Sequence, residues 1–197
     1  MEIPKNIQVG VLAIQGDFER HMAQLESLGV PSVEVRLPID LERIDGLILP
    51  GGESTTLDIM IDRFGLREPL TRFCWTSPVY GTCAGMILLS RAVRDNLSGV
   101  KPLNIIDIEV LRNGYGRQLF SFDERLDVNL GNGTRHVEAT FIRAPRIVAI
   151  GSAIEVLARR GDDPVLVKSG KALASAFHNE LGGDTTILRH FLTHYFG

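Results

Sequence analysis

Two cysteines in 197 residues, Cys74 and Cys83, are too few for a disulfide framework and fit a chain working in a reducing cytoplasm. No apolar run approaches the roughly eighteen residues needed to cross a bilayer, so no membrane-spanning helix is expected. The opening Met1-Glu2-Ile3-Pro4-Lys5 has no apolar core of a secretory leader. Charge of one sign is also missing: the net charge is −3, which leaves no basic footprint for nucleic acid or an anionic membrane surface. Internal repeats, low-complexity tracts and long charge runs are absent. What remains is ordinary for a soluble globular chain, with 44% hydrophobic and 23% charged residues. The length suits one sizeable α/β domain spanning residues 1–197 rather than two.

The most informative stretch is Val79-Tyr80-Gly81-Thr82-Cys83-Ala84-Gly85-Met86-Ile87-Leu88-Leu89. A short apolar run meets G-x-C-x-G and continues into a helix-like apolar run. This is the thiol version of the G-x-S-x-G nucleophile elbow, in which a strained strand-to-helix turn exposes a nucleophile at the top of a sheet. Side chains at Gly81 and Gly85 would collide with the neighbouring strand or helix in so tight a bend. The N-terminus of the following helix points at the sulfur and favours thiolate. Cys74 has no turn glycine beside it and reads as a core residue inside a helix.

Taken in order, the chain alternates strand and helix. Residues 7–13 form a near-continuous apolar run of the kind found in buried parallel strands. Asp17 is the expected N-cap of a helix over 18–28, with Gly29 as its stop. Short strands follow over 33–36 and 46–49, which begins a doubly wound pattern. Pro50-Gly51-Gly52-Glu53-Ser54-Thr55-Thr56 then precedes a helix over 57–64. Two glycines at the carboxyl end of a strand can present backbone N–H groups to a ligand, with Ser54 or Thr55 capping the helix; a plain capped turn explains the loop equally well. No Gly-Lys-Ser/Thr follows, so this is not a phosphate-binding Walker loop. A helix over 68–75 leads to the elbow. Beyond it, 105–111 alternates as a half-exposed strand, Arg112–Gln118 is a glycine-rich polar loop, and Gly131-Asn132-Gly133 marks a hairpin turn. Strands over 136–143, 146–150, 154–158, 165–168 and 171–177 make an antiparallel or mixed extension of the first sheet. An amphipathic helix covers 185–196. The fold class is therefore α/β, doubly wound and flavodoxin-like, with a mostly parallel central sheet and an antiparallel extension.

A cysteine nucleophile needs a base, and the base an orienting acid. His21 reads as a surface residue of the first helix and His136 as a solvated strand residue. His190 and His194 stand four apart on the last helix, but His-Phe-Leu-Thr-His lacks the glutamate of H-E-x-x-H and no third ligand is suggested, so no metal site is expected. His178 ends an apolar strand and is followed at i+2 by Glu180, which in an extended chain faces the same way. Together these parts support acyl transfer: Cys83 attacks a carbonyl, N–H groups of Gly52 and Ala84 hold the oxyanion, and His178 moves the proton.

Several of these segments resemble the glutaminase subunits of pyridoxal 5′-phosphate synthases, within the triad class of glutamine amidotransferases. They are Val11–Asp17, Leu49–Thr56, Gly81–Leu89, Arg112-Asn113 with Gly116-Arg117-Gln118, Phe141–Pro145 and Phe177–Glu180. G-x-C-x-G and His-x-Glu mark the class; Gly-Gly-Glu-Ser-Thr-Thr and Phe-Ile-Arg-Ala-Pro point to the one family. The resemblance implies hydrolysis of L-glutamine to glutamate and ammonia. The ammonia would pass through a channel to a (β/α)₈-barrel synthase subunit whose docking activates the glutaminase. It also implies a triad of Cys83, His178 and Glu180, and glutamine contacts from Gly52, Glu53, Ser54, Arg112, Ile142 and Arg143. The Gly51-Gly52 peptide is the expected switch. No cofactor is implied for this chain, since the product is made on the partner. Asn179 stands where the family usually has proline, which frees the backbone between His178 and Glu180. Other readings of the same class marks are a glutaminase of the imidazole glycerol phosphate synthase type, a non-catalytic regulatory partner of the same fold, and a cysteine hydrolase.

Overall fold

The computed structural model describes residues 2–94, 96–115, 121–131 and 133–197. Four short strands of the first half begin its parallel centre: β1 (Val9–Leu12), β2 (Ser32–Val35), β3 (Gly46–Leu49) and β4 (Val79–Thr82). Every residue of β1, β3 and β4 is buried, as a strand covered on both faces requires. Helix α1 (Phe18–Ser27) joins β1 to β2 and buries Leu25, with Gly29 at φ +70° just past its end. Asp17 occupies its N-cap position but makes no side-chain capping bond. A 3-10 turn over Pro38–Arg43 precedes β3.

Helix α2 (Ser54–Arg63) begins three residues before its apolar pattern does. Its cap is Glu53, not Ser54 or Thr55: the Glu53 carboxylate accepts from the N–H groups of Thr55 at 3.0 Å and Thr56 at 2.7 Å. A carboxylate there satisfies two free donors and faces the positive end of the helix. Helix α3 (Arg67–Thr76) and the six-residue α4 (Ala84–Leu89) flank β4.

The second half adds β5 (Ser90–Arg94), β6 (Ile106–Leu111), β7 (Phe122–Asn129), β8 (Thr134–Phe141), β9 (Arg146–Ile150), β10 (Glu155–Arg160), β11 (Asp163–Ser169) and β12 (Ala172–Ser175). Helix α5 (Thr186–Phe196) closes the chain and packs Ile187, Leu188, Phe191 and Leu192 at zero exposure. The main sheet runs β2-β1-β3-β4-β12-β11-β10-β7-β8. It is parallel from β2 to β12 and antiparallel beyond, which is the mostly parallel sheet with antiparallel extension expected. Not all of the second half joins it. β5, β6 and β9 form a separate three-stranded sheet. In β6 the buried Ile106, Ile108 and Val110 alternate with Asp107 and Glu109, which pair with Arg91 and Arg94. One apolar face and one charged face suit an outer layer better than a doubly covered strand. The Gly131 and Gly133 backbones have φ of +85° and +109°, as a hairpin between β7 and β8 demands, while Asn132 lies outside the described residues.

β1, β3, β4 and β12 point the same way, so the segments after them meet at one edge. Two glycines make the approach of β4 and α4 possible. A Cβ on Gly85 would lie 2.1 Å from the Leu49 carbonyl oxygen, and one on Gly81 2.7 Å from the Gly85 carbonyl carbon. Gly85→Ala is expected to cost about 1–3 kcal/mol in denaturant unfolding, because backbone rather than a flexible side chain must move. Gly182→Ala, where an added Cβ meets nothing within 4 Å, is expected to be neutral or stabilising by up to about 1 kcal/mol.

Candidate active site

The edge formed by those strand ends carries a cavity of about 260 Å³, lined in part by Gly52, Glu53, Ser54, Cys83, Arg112, Ile142, Arg143 and His178. It is below the roughly 300–1,000 Å³ of drug-sized sites, a scale suited to a small metabolite. The residues come from four loops and the β8–β9 connection. Ala84 and Glu180 do not line it: Ala84 is buried as the first residue of α4, and Glu180 stands behind His178.

Cys83 sits between β4 and α4 with φ +49° and ψ −102°, a backbone conformation that a side chain rarely adopts. Its N–H donates to the Ser175 carbonyl at 2.8 Å, which ties the bend to the neighbouring β12. The thiol is 6% exposed and turned toward the Ile142 carbonyl at 3.9 Å, a weak contact that leaves it available. The helix that follows is only six residues, and the Cys83 side chain takes no capping hydrogen bond from its first turn.

His178 shares the cavity with Cys83. Its Nδ1 is 2.6 Å from Glu180 Oε1, which leaves Nε2 as the nitrogen free to serve the thiol. Burial works against the imidazolium, but hydrogen bonding with Cys83 and Glu180 and their charges outweigh it, so the His178 pKa is raised to about 10. Burial likewise opposes the Glu180 charge, yet the His178 hydrogen bond and the nearby His21 and His178 hold its pKa below the usual value. β12 ends at Ser175, short of His178, and the backbone is pinned differently. His178 N–H donates to the Thr140 carbonyl at 2.8 Å and its carbonyl accepts from Thr140 N–H at 3.2 Å. Asn179 does not loosen this segment. It is buried, accepts from the Tyr80 hydroxyl at 3.0 Å and donates to the Asp184 carbonyl at 3.2 Å.

The remaining expected residues gather around the mouth. Arg112 Nη2 donates to Glu53 Oε1 at 3.1 Å, and its Nη1 donates to Ser98 Oγ. Glu53 is partly desolvated, but the Thr56 and Thr55 N–H groups more than compensate and hold its pKa at about 2. Arg143 is exposed, with φ +46°. Gly51 abuts the His178 ring so closely that a Cβ would lie 2.2 Å from Cε1. The Gly51 carbonyl accepts from Asp17 N–H at 3.1 Å, which sets the orientation of the Gly51-Gly52 peptide. Gly116, Arg117 and Gln118 lie outside the described residues.

Other polar residues fall elsewhere. His136 is exposed and holds Asp127 across the hairpin at 2.6 Å. The rings of His190 and His194 stack at 5.2 Å on α5. Among the described residues, ligand atoms close enough to share a metal belong to Asp17, His178 and Glu180, within 4.8 Å of one another. Cys74 is buried, and burial alone pushes its thiol up to about 12. Residues at the site that were not expected to act there include Gln15 and His21. Gln15 Oε1 accepts from Glu53 N–H at 3.1 Å. His21, expected at the surface, is fully buried against Thr82 and Glu180; it stands four residues before the buried Leu25, a spacing that puts it on the inner face of α1 and was the signal available.

Residues 11–196 match the SNO glutamine amidotransferase family. The chain is 48% identical to the pyridoxal 5′-phosphate synthase subunit PdxT of Pelotomaculum thermopropionicum over 94% of both chains. It is 46% identical to the subunit of the same name from Francisella philomiragia, over 95% of this chain and 98% of that one. A solved glutamine amidotransferase superposes with TM-score 0.86 at 42% identity, covering 94% of this chain and 97% of the other. The PurLQS structure from Thermotoga maritima, at 15% identity and TM-score 0.69, shares the fold. The family match spans nearly the whole chain and agrees with the cysteine elbow and the strand-end cavity, and this chain belongs to the SNO glutamine amidotransferase family.

Proposed function

We propose that this chain is the glutaminase subunit of a pyridoxal 5′-phosphate synthase, with Cys83, His178 and Glu180 as its triad. It hydrolyses L-glutamine to L-glutamate and ammonia and supplies the ammonia to a synthase subunit. The observation that carries the reading is the meeting of a strained cysteine and a carboxylate-backed histidine on one small cavity. The names of relatives 46–48% identical over nearly their full length support the pathway.

The chemistry follows from the parts. The Cys83 thiolate attacks the glutamine γ-carboxamide carbon, and the C=O pair moves onto oxygen. The oxyanion is received by the N–H of Gly52, which lines the cavity, and by the backbone N–H of Ala84, whose side chain does not line it but which directly follows Cys83. His178 imidazolium gives its proton to the departing nitrogen, ammonia leaves, and a γ-glutamyl thioester remains. The neutral imidazole then takes a proton from water, whose oxygen attacks the thioester; glutamate departs and the thiolate–imidazolium pair is restored. Glu180 holds the ring by Nδ1 and stabilises its charge. Glu53, Ser54, Arg112, Ile142 and Arg143 contact the glutamine backbone and side chain. Docking of a (β/α)₈-barrel synthase turns the Gly51-Gly52 peptide, whose present orientation is held by the Asp17 N–H. Ammonia then enters a channel in the partner. The chain works in the cytoplasm, a reading supported by its two free cysteines.

Cys83→Ala, assayed with the synthase partner, is expected to lower glutamine hydrolysis on the order of 10⁴-fold or more while leaving the protein folded. Near-normal ammonia release would overturn the assignment. The raised His178 pKa sets the alkaline side of the pH profile. kcat/KM is expected to hold through pH 8–9 and to fall toward about 10, rather than near the ordinary histidine value of 6.5. The same proton stabilises the fold. Its contribution is complete below pH 6.5 and is lost as pH rises through about 10. Denaturant stability should therefore decline from pH 7 to 10, and His178→Asn should flatten that decline.

A further inference from the structure

α1 carries a residue that the triad reaction does not use and that nonetheless touches it. His21 is fully buried, and its Nε2 lies 3.2 Å from Thr82 Oγ1 and 3.6 Å from Glu180 Oε1. Thr82 is the residue before Cys83, so the ring spans the nucleophile's strand and the triad's carboxylate. Burial lowers the His21 pKa, the attraction of Glu180 notwithstanding, which favours the neutral ring with a single N–H. The carboxylate oxygen decides where that proton sits. A lone pair on Nε2 would face the Glu180 charge, whereas an N–H there donates toward it. Nδ1 has no hydrogen-bond partner among the described residues, and neither has the buried Glu180 Oε2. The two imidazoles thus both face Oε1, His178 Nδ1 at 2.6 Å and His21 Nε2 at 3.6 Å.

We infer that His21 is a positioning residue for glutamine hydrolysis: its Nε2–H donates to Thr82 Oγ1 at 3.2 Å, beside the nucleophile, and turns its positive end toward Glu180 Oε1 at 3.6 Å, which keeps that oxygen in line with His178. The inference rests on the triad reading given above. A carboxylate free to rotate about its terminal bond would present either oxygen, and the His178 ring would follow it away from Cys83. With His21 in place, one oxygen is selected and the ring orientation is set. His21 touches neither substrate nor the reacting atoms, so its removal should lower kcat and leave KM nearly unchanged.

Side chains of different reach separate positioning from packing. An amide nitrogen on glutamine comes near the position of Nε2, and one on asparagine reaches only that of Nδ1. His21→Gln, His21→Asn and His21→Leu are compared with the wild type in glutamine hydrolysis with the synthase subunit present, alongside denaturant unfolding. The leucine and asparagine variants are expected to lose about 10-fold or more in kcat with KM within about twofold, the range for partners that orient a reacting group. The glutamine variant should recover most of that loss. Full kcat in the asparagine variant would overturn the inference. So would a glutamine variant as slow as the asparagine one, with loss of rate tracking loss of stability. Should the leucine variant not fold, the glutamine and asparagine pair decides. Wild-type protein that releases no ammonia from glutamine would instead overturn the glutaminase reading itself.

Discussion

A carboxylate buried to 3% exposure, with an imidazole 2.6 Å away, is the interaction on which the site depends. A lone charge in that position would be strongly unfavourable, and removing one member of a buried pair typically costs about 3–5 kcal/mol. The surroundings answer that requirement piece by piece. Thr140 fixes the His178 backbone from β8, and Asn179 is tied to Tyr80 on β4 and to Asp184 ahead of α5. Asp184 in turn accepts from Gln24 on α1 through its carbonyl and from the Thr186 N–H at the start of α5 through its carboxylate. The His178–Glu180 segment is thus held by elements distant in sequence. In the proposed reaction that confinement keeps one ring nitrogen aimed at Cys83.

The parallel centre supplies the other half of the geometry. Because β1, β3, β4 and β12 share a direction, Cys83, the glycine loop and His178 arrive at one edge without any long excursion of the chain. Close contact then does the fine work. Gly16 approaches the Gly51 carbonyl, Gly51 abuts the His178 ring, and Gly85 lies against the Leu49 carbonyl, each nearer than a side chain permits. The strain at Cys83 is carried by this packing, which is why a left-handed cysteine persists there.

The parts legible in the sequence were those with local causes. Gly46–Leu49 and Arg146–Ile150 have the bounds their apolar residues suggest, and the G-x-C-x-G spacing announces its own turn. Less legible were elements whose apolar signal is thin. In β7 only Leu126 and Val128 are buried among Phe122–Asn129, and β5 reads Ser-Arg-Ala-Val-Arg. Neither shows an apolar stripe long enough to mark a strand, and the separate β5-β6-β9 sheet went with them. Polar residues whose place depends on remote partners were the hardest. His21 owes its burial to Thr82 and Glu180, Asn179 its order to Tyr80, and Glu53 its pairing to Arg112. No spacing rule within α1 or the glycine loop encodes those meetings.

The account comes down to a covalent bond between one sulfur and the γ-carbonyl of glutamine. Rapid acid quench of the synthase-bound protein turning over glutamine, followed by mass spectrometry of its peptides, reads that bond directly. The account predicts a γ-glutamyl group on the peptide that carries Cys83 and none on the peptide that carries Cys74. Steady ammonia release with Cys83 never found acylated, or with the glutamyl group on another residue, would contradict it.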